Sequence, residues 1–269
     1  NQKFNINPNI VETVKYIGNE KSPIVIIDDF SANADFLLDY FKKHAQLKQA
    51  AGKDNFYPGK HAAVSNEYGK TLYQAIKPLI KEHFNLPVAY LERIFSDYSI
   101  ISTPETLLTK QQSIPHYDSY GRGHLAVLHY LCDKPYQGTG FYRHQDTGIE
   151  IMTRNRSQAY WDIVNKQLAS PDFAQGYITG DCPNYEKIAQ VDAKFNRLII
   201  YRSQALHSSI IDAEMLKNQH AVPTISAYPH GDGFTPMGYT PKNKKIKRVF
   251  YYYGFELLSR CCNNASTSF

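Results

Sequence analysis

The sequence has only four cysteines among 269 residues, and no two of them form a Cys-x-x-Cys pair. Cys261 and Cys262 are adjacent, whereas Cys132 and Cys182 stand alone. Zinc knuckles and disulfide frameworks need regularly spaced cysteines, so the sequence predicts neither of them. We therefore expect a reducing, cytoplasmic setting.

Long apolar runs are also missing from the sequence. The longest runs, such as residues 24–27 and 198–201, are far shorter than the roughly 20 residues that a membrane-spanning helix needs. The first residues (NQKFN) are polar, so we expect no signal peptide. The sequence therefore predicts no membrane partner.

The excess of positive charge is small, since 30 basic and 25 acidic residues give a formal net charge of +5. The densest basic stretch is residues 242–248 (KNKKIKR), for which a solvated loop is a simpler interpretation than a nucleic-acid contact. We therefore expect a small-molecule or peptide substrate rather than a nucleic acid. Nothing in the sequence indicates an oligomeric state.

Hydrophobic spacing predicts an α+β protein. A buried strand at residues 24–27 precedes two amphipathic helices, whose apolar residues recur at helical spacing. Short β-rich runs then follow at residues 91–102, 125–132, 148–152, 197–202 and 248–255. We interpret residues 1–269 as a single domain, with a helical part over 1–90 and a β-rich core over 91–255.

Two stretches interrupt this predicted core and are interpreted as insertions. Residues 153–188 have the pattern of a helix followed by a loop. Residues 213–247 are rich in Pro, Gly, His and Lys and are too long for a structureless loop inside a compact domain. We expect the second insertion to shape the choice of substrate.

The His-x-Asp spacing is the pattern that points to chemistry. In an extended segment this spacing places an imidazole and a carboxylate on the same side. A later histidine can complete a facial triad, which holds iron(II) on one face and leaves the other positions open. The sequence has three such pairs, namely His116/Asp118, His144/Asp146 and His230/Asp232.

The first of these pairs is the best candidate. Pro115 favours an extended entry into it, and a strong strand pattern follows at residues 125–132. The pair at His144 lies in a predicted turn, and no histidine follows His230. His207, just after the strand pattern at residues 197–201, is the candidate third ligand.

The order of five short motifs resembles the iron(II)/2-oxoglutarate dioxygenases of prolyl-hydroxylase type. The motifs are residues 114–118 (IPHYD), 127–131 (VLHYL), 138–142 (GTGFY), 197–201 (RLIIY) and 207–208 (HS). With residues 57–59 (YPG) and 138–144 (GTGFYRH), the chain is more narrowly similar to a bacterial family of 2-oxoglutarate oxygenase-like proteins catalogued as a domain of unknown function. The resemblance covers roughly residues 20–255. It implies a double-stranded β-helix, the cupin-like jelly roll, with N-terminal helices packed outside.

Carried over to this sequence, the resemblance implies that His116, Asp118 and His207 bind Fe(II). It also implies 2-oxoglutarate and O2 as co-substrates, with a hydroxylated product, succinate and CO2. Related halogenating enzymes lack the carboxylate ligand, so the presence of Asp118 favours hydroxylation, or another oxidation, over halogenation.

The resemblance further implies a basic residue on a strand after the distal histidine, where it binds the remote carboxylate of 2-oxoglutarate. Arg248 matches this role best, because a planar guanidinium can hold a carboxylate with two hydrogen bonds. Its distance along the chain from His207 is long for the family, and Lys217 lies closer. Both residues stay candidates.

Two tyrosines and two histidines in the predicted strands and turns are weaker candidates for site residues. Tyr98 and Tyr130 could donate phenol hydrogen bonds to the co-substrate, with ordinary strand packing as the alternative. His129 and His144 either orient a ligand or are structural. Trp161, the only tryptophan, is expected to anchor the inserted helix.

Three other functions remain as alternatives. A non-catalytic, cupin-like metal-binding module predicts metal binding without turnover of 2-oxoglutarate. A nucleic-acid oxygenase would use the basic stretch 242–248 on phosphates. A zinc hydrolase at the same triad is less well supported, because the sequence has no helical His-Glu pair to act as a base.

Overall fold

The computed structural model describes residues 4–49, 57–86, 93–132, 137–211 and 222–230. Within these residues the chain forms eleven strands and three α-helices. The strands are β1 (Glu12–Ile17), β2 (Ser22–Ile27), β3 (Lys48–Gln49), β4 (Gly59–Ala63), β5 (Arg93–Ile101), β6 (Leu125–Tyr130), β7 (Gly138–His144), β8 (Tyr185–Val191), β9 (Arg197–Arg202), β10 (His207–Ile210) and β11 (Val222–His230). The helices are α1 (Ala34–His44), α2 (Asn66–Phe84) and α3 (Arg154–Ala169). The protein is therefore a mixed α and β structure.

The strands form two sheets. The larger sheet has eight strands in the order β1-β2-β9-β6-β11-β5-β4-β3, and the smaller has three in the order β10-β7-β8. Every pairing between the described strands is antiparallel. The centre of the larger sheet combines strands that are far apart in the sequence, such as β2 with β9.

Both faces of the larger sheet are buried at its centre. Ile24 and Ile26 of β2 belong to a cluster that includes Phe141 of the smaller sheet. Val25 and Ile27 belong to a different cluster, which includes side chains of α1 and α2. Because successive side chains of a strand point to opposite faces, a strand covered on both sides is a continuous apolar run rather than an alternating one.

Helix α2 follows the signals in its sequence closely. The side chain of Ser65 accepts a hydrogen bond from the backbone N–H of Tyr68 at 3.3 Å and so caps the first turn. The helix ends at Asn85, which has the left-handed conformation with a φ of 50°. Its buried side chains recur three or four residues apart, as predicted, and include Tyr68, Leu72, Ile76, Leu79, Ile80 and Phe84.

Helix α3 packs against a third cluster, which contains side chains from the smaller sheet and the segments beside it. The indole Nε1–H of Trp161 donates to the hydroxyl oxygen of Tyr117 at 3.0 Å. The tryptophan therefore anchors α3, as predicted, and it does so on the segment that carries His116 and Asp118.

Several boundaries differ from the sequence prediction. The predicted helical part, residues 1–90, contains the predicted strand at residues 24–27 as β2, and it also contains β1, β3 and β4, which were not predicted and belong to the larger sheet. The predicted strand at residues 148–152 is only an isolated bridge between Ile151 and Ala205. Strand β8 begins inside the predicted insertion 153–188, and it was missed because its sequence (YEKIAQV) does not alternate between apolar and polar residues as a half-buried strand usually does.

The largest difference concerns residues 213–247, which were predicted to be an insertion. Strand β11 lies within this stretch and pairs with β5 on one side and β6 on the other. Pro223 and Pro229 argue against a central strand, since proline lacks the backbone N–H that such a strand donates to its neighbours. Both prolines lie outside the four residues of β11 that pair with β6. At each proline, where the backbone N–H is missing, β11 therefore pairs with β5 alone.

Several predictions fall outside the described residues. They concern Lys217, Arg248, the basic stretch 242–248 and the predicted strand at 248–255. Of the helices in the described part, none combines the length and the apolar character that crossing a membrane requires.

Candidate metal centre

An isolated β-bridge brings His116 and His207 together. The backbone N–H of His116 donates to the carbonyl oxygen of His207 at 2.9 Å, and the reverse bond measures 2.8 Å. The N–H of Asp118 donates to the carbonyl oxygen of Ser203 at 2.8 Å. These backbone bonds hold the segment of the His-x-Asp pair against the start of β10.

The donor atoms of the three side chains converge on one point. Nε2 of His116 lies 3.6 Å from Oδ1 of Asp118, and Nε2 of His207 lies 3.8 Å from the same oxygen. All three donor atoms are within 4.8 Å of one another. Donors bound to one ion at about 2.1 Å and at right angles would be about 3 Å apart, so these separations suit an ion-sized space.

The carboxylate of Asp118 is buried in an unusual way. Its side chain is 5% exposed. Neither of its oxygens accepts a hydrogen bond from any residue that the structure describes. Burial raises the pKa of this carboxyl to about 6, although the neighbouring His207 opposes the shift. A buried carboxylate without hydrogen bonds is unfavourable unless a cation compensates its charge, so the residues present fit a metal ion.

Both imidazoles are held in the neutral form that binds metals. Burial lowers the pKa of His116, and it lowers the pKa of His207 to about 4. Nδ1 of His207 lies 2.9 Å from the carbonyl oxygen of Ala205, which can only accept, so Nδ1 carries the proton. The lone pair of His207 is therefore on Nε2, the atom that faces Asp118.

A pocket of about 830 Å3, counting the space open to solvent at its mouth, borders the candidate metal centre. His116 and Asp118 form part of the pocket wall. The side chain of His116 is 26% exposed, whereas that of His207 is 1% exposed. An ion at this point would have protein on one side and the pocket on the other.

A family model matches residues 8–222 of the chain, and its description is a family of unknown function, DUF6445. The chain belongs to this family. The match contains all three residues of the candidate metal centre and most of the described strands. No curated protein matches the sequence of this DUF6445 member.

Two solved structures resemble the DUF6445 chain at low identity. One is the crystal structure of SnoN, a non-heme alpha-ketoglutarate-dependent epimerase from nogalamycin biosynthesis. It has a TM-score of 0.46 and 11% identity, and the match covers 90% of this chain and 94% of SnoN. The other is SnoN in complex with Fe3+, alpha-ketoglutarate and nogalamycin RO, with a TM-score of 0.43, 10% identity and coverages of 87% and 91%.

Tyr130 lies on the same face of the larger sheet as the metal centre. It belongs to the cluster between the two sheets, and its hydroxyl is 2.5 Å from Oγ1 of Thr139 on β7. Thr139 pairs directly with Ser209, two residues beyond His207 on β10. Three hydroxyl-bearing residues therefore lie near one another beside the strand that carries His207.

Tyr98 is the predicted site residue that the structure separates from the others. Its ring stacks on Phe41 of α1 with centroids 5.2 Å apart, in the cluster beneath the helices. Tyr98 and Tyr130 therefore lie on opposite faces of the larger sheet. Because the side chains of a strand alternate between its two faces, Tyr98 points away from His207, and the alternative of ordinary strand packing describes its surroundings.

The argument for Arg248 changes with the topology. The next described strand after His207 is β11, whose residues include neither lysine nor arginine. Arg248 was preferred because residues 213–247 were interpreted as an insertion, and that reason no longer holds. Arg248 and Lys217 both lie outside the described residues, so each stays a prediction.

His129 and His144 have structural partners. His129 lies beneath the helices, where Nδ1 is 3.0 Å from the hydroxyl of Tyr68 and Nε2 is 3.1 Å from Oδ1 of Asn196. His144 lies at the end of β7, where Nδ1 is 2.8 Å from Oγ1 of Thr147 and Nε2 is 3.1 Å from Oε1 of Gln167. Neither histidine belongs to the candidate metal centre.

Ser209, which lines the pocket, and Thr139, which pairs with it, are polar residues that the sequence prediction did not single out. One signal for Ser209 was present, because the residue two positions after His207 on a strand faces the same side. Thr139 lies in the GTGFY motif, but only the pairing of β7 with β10 brings it beside Ser209.

Proposed function

We propose that this protein is an Fe(II)/2-oxoglutarate-dependent oxygenase that hydroxylates a small molecule or a peptide. His116, Asp118 and His207 would hold the iron. One observation carries the proposal: two neutral imidazoles and a buried carboxylate converge at the border of a pocket, and the carboxylate accepts no hydrogen bond from the described residues. Two histidines and one carboxylate with open positions are typical of non-heme Fe(II) oxygenases.

We also propose that strands β5 to β11, with the bridge at His116, form a double-stranded β-helix. The order β9-β6-β11-β5 in the larger sheet and β10-β7-β8 in the smaller supports this, because the chain alternates between two facing antiparallel sheets. In such a fold the space between the sheets is where a small co-substrate binds.

When bound, iron(II) with 2-oxoglutarate and O2 supplies oxidative decarboxylation to succinate and CO2 and the hydroxylation of a nearby C–H bond. The protein's own residues would do the binding and positioning. The carbonyl of Ala205 keeps the proton of His207 on Nδ1, so that the lone pair of Nε2 stays available to a metal ion. Tyr130, Thr139 and Ser209 would offer hydroxyl groups to the carboxylate end of 2-oxoglutarate, and Arg248 or Lys217 would neutralise it.

Binding of metal and co-substrate tests this proposal directly. Purified protein should retain about one Fe(II) per chain, and anaerobic addition of 2-oxoglutarate should give a weak visible charge-transfer band. His116→Ala and Asp118→Ala should lose the metal. His44→Ala is the matched control, since it removes an exposed histidine on α1, far from the centre in the fold.

Two outcomes would redirect the proposal. Metal retention in the Asp118→Ala variant at the wild-type level would show that the ion binds elsewhere. Retention of iron by the wild type with neither the band nor succinate formation would favour the non-catalytic, cupin-like metal-binding module.

A further inference from the structure

We propose that the pocket beside His116 and Asp118 accepts an uncharged, ring-bearing part of the substrate. This inference rests on the proposed function for its role in a reaction, but it concerns the wall of the pocket rather than the metal. The wall combines aromatic side chains from separate parts of the chain: Tyr57, Tyr117, Tyr160, Trp161 and Tyr177.

The described part of the wall has no charge of its own apart from the candidate metal ligands. Among the described residues that line the pocket there is no lysine, arginine or glutamate, and Asp118 is the only acidic residue. Once Asp118 binds a metal ion, no side chain in the described wall can pair with a charged group on a substrate. Burying an unpaired charge of the substrate against this wall would be unfavourable, so the wall selects against ionised groups on the substrate. The charges of 2-oxoglutarate, by contrast, would be compensated by the metal ion and by Arg248 or Lys217.

The polar atoms of four of these aromatic residues already have partners in the protein. The hydroxyl of Tyr177 donates to the carbonyl oxygen of Thr103 at 2.6 Å. The hydroxyl of Tyr160 is 2.8 Å from that of Tyr185.

The Trp161 indole and the Tyr117 hydroxyl are partners of each other, as described above. The rings therefore offer carbon faces and edges to an occupant rather than free hydrogen-bonding groups. Aromatic walls of this kind bind flat or cyclic groups by stacking and apolar burial.

The rim of the pocket supplies neutral polar groups. Gln111 and Gln112 lie on a short 3-10 turn just before Ile114, and Gln111 is exposed. Amide side chains can hydrogen-bond a hydroxyl or an amide of a substrate without demanding a charge. The wall and the rim together fit a neutral cyclic group with hydroxyl or amide substituents.

The only tryptophan of the chain lies in this wall, so its fluorescence reports on the pocket. The test uses the metal-free Asp118→Asn variant at pH 7.5, in which the described wall contains no carboxylate, and three probes with the same ring: benzyl alcohol, benzoate and benzylammonium. We expect benzyl alcohol to change the fluorescence of Trp161 with a Kd at least tenfold lower than that of either charged probe, and calorimetry should give the same order. Equal or tighter binding of benzoate or benzylammonium, or no binding of benzyl alcohol, would overturn the proposal.

Two variants at the exposed rim show whether the probes bind in this pocket. Gln111→Lys should tighten benzoate several-fold and weaken benzylammonium, and Gln111→Glu should do the reverse, with benzyl alcohol changing less than twofold. If neither variant alters the charged probes, the probes bind elsewhere and the proposal is wrong. No metal or 2-oxoglutarate is present, so a failure here is distinct from a failure of metal binding by the wild-type protein.

Discussion

His116 and His207 exchange both of their backbone hydrogen bonds, and their imidazole rings lie with centroids 4.2 Å apart. Directly opposite residues of an antiparallel pair project to the same face of the sheet. The bridge therefore places two potential metal ligands side by side through backbone hydrogen bonds. The backbone hydrogen bonds bring the two histidines together, and their side chains supply the nitrogen atoms that could bind a metal ion.

Replacing Asp118 should raise the stability of the metal-free protein and abolish metal binding. Burial raises the pKa of this carboxyl from 3.8 to about 6, so above pH 6 the folded, metal-free protein contains a carboxylate that would be better solvated in the unfolded chain. We expect Asp118→Asn to stabilise the metal-free protein at pH 8 by about 2 kcal/mol, from a shift of two pKa units and some loss to the new amide. Urea denaturation with and without Mn(II) measures both effects.

The same experiment has a clear contrary result. The wild type should gain stability from Mn(II), and Asp118→Asn should not. An unchanged response to Mn(II) in the variant would mean that Asp118 is not a ligand.

Tyr130 and Tyr98 form a matched pair for testing the co-substrate site. Both are buried strand tyrosines, but only Tyr130 faces the space between the sheets. We expect Tyr130→Phe to weaken the binding of 2-oxoglutarate about tenfold, the equivalent of one lost hydrogen bond to a charged group, with Fe(II) binding unchanged.

Tyr98→Phe serves as the control for this prediction. Anaerobic titration of the charge-transfer band gives the affinity of each variant. A loss of affinity for 2-oxoglutarate in Tyr98→Phe equal to that in Tyr130→Phe would indicate a general loss of packing rather than a lost contact.

His129 should make the fold sensitive to acid without affecting the metal centre. Oδ1 of Asn196 accepts a hydrogen bond from the backbone N–H of Ser31, and Nδ2 donates to the Ser31 carbonyl. The amide orientation is thereby settled, so Nε2 of His129 donates to Oδ1, and Nδ1 accepts from the hydroxyl of Tyr68. This arrangement suits only the neutral ring.

Burial lowers the pKa of His129 to about 4, against the opposing effect of the Asn196 hydrogen bond. The unfolded chain binds the proton below about pH 6.5, so the contribution to stability is complete above that pH and is lost as the pH falls towards 4. We expect His129→Ala to lower the free energy of unfolding at pH 7 by about 2–4 kcal/mol, through a cavity and two lost partners.

The pH dependence of the free energy of unfolding tests this structural role of His129. Between pH 7 and pH 4.5 the wild type should lose more stability than His129→Ala does, as measured by urea denaturation at both values. Identical losses in the two proteins would show that another group controls the acid sensitivity, and a changed Fe(II) affinity would place His129 nearer to the centre than the structure does.

Asp97 should have the opposite pH dependence. It is buried on β5, and burial raises its pKa from 3.8 to about 7. The folded state therefore binds the proton more tightly than the unfolded state, and stability falls as the pH rises from about 4 to 7. We expect Asp97→Asn to be the more stable protein at pH 8, by about 2–4 kcal/mol, and to differ little from the wild type at pH 4.

Thermal or chemical denaturation at pH 4, 6 and 8 follows this change. A wild type that is more stable than Asp97→Asn at pH 8 would mean that the carboxylate has a favourable partner in the folded protein.

Local spacing in the sequence was enough for several of these features. The repeat of Leu72, Ile76 and Ile80 predicted helix α2, because a helix places residues three or four apart on one face. The runs at residues 24–27 and 198–201 predicted buried strands, and His116 with Asp118 was identified as the candidate ligand pair with His207 as its partner. All of these inferences use periodicities within a few residues or the order of short motifs.

The sequence by itself determined which residues share a face, since a strand alternates with a period of two and a helix with a period of 3.6. Only the tertiary structure decided towards which side each face points, and so it separated Tyr98 from Tyr130. It also decided that β11 pairs between β5 and β6, and that His116 lies opposite His207. The physical reason is that pairing between distant strands depends on the hydrogen bonds and burial of the whole sheet, which no local spacing encodes.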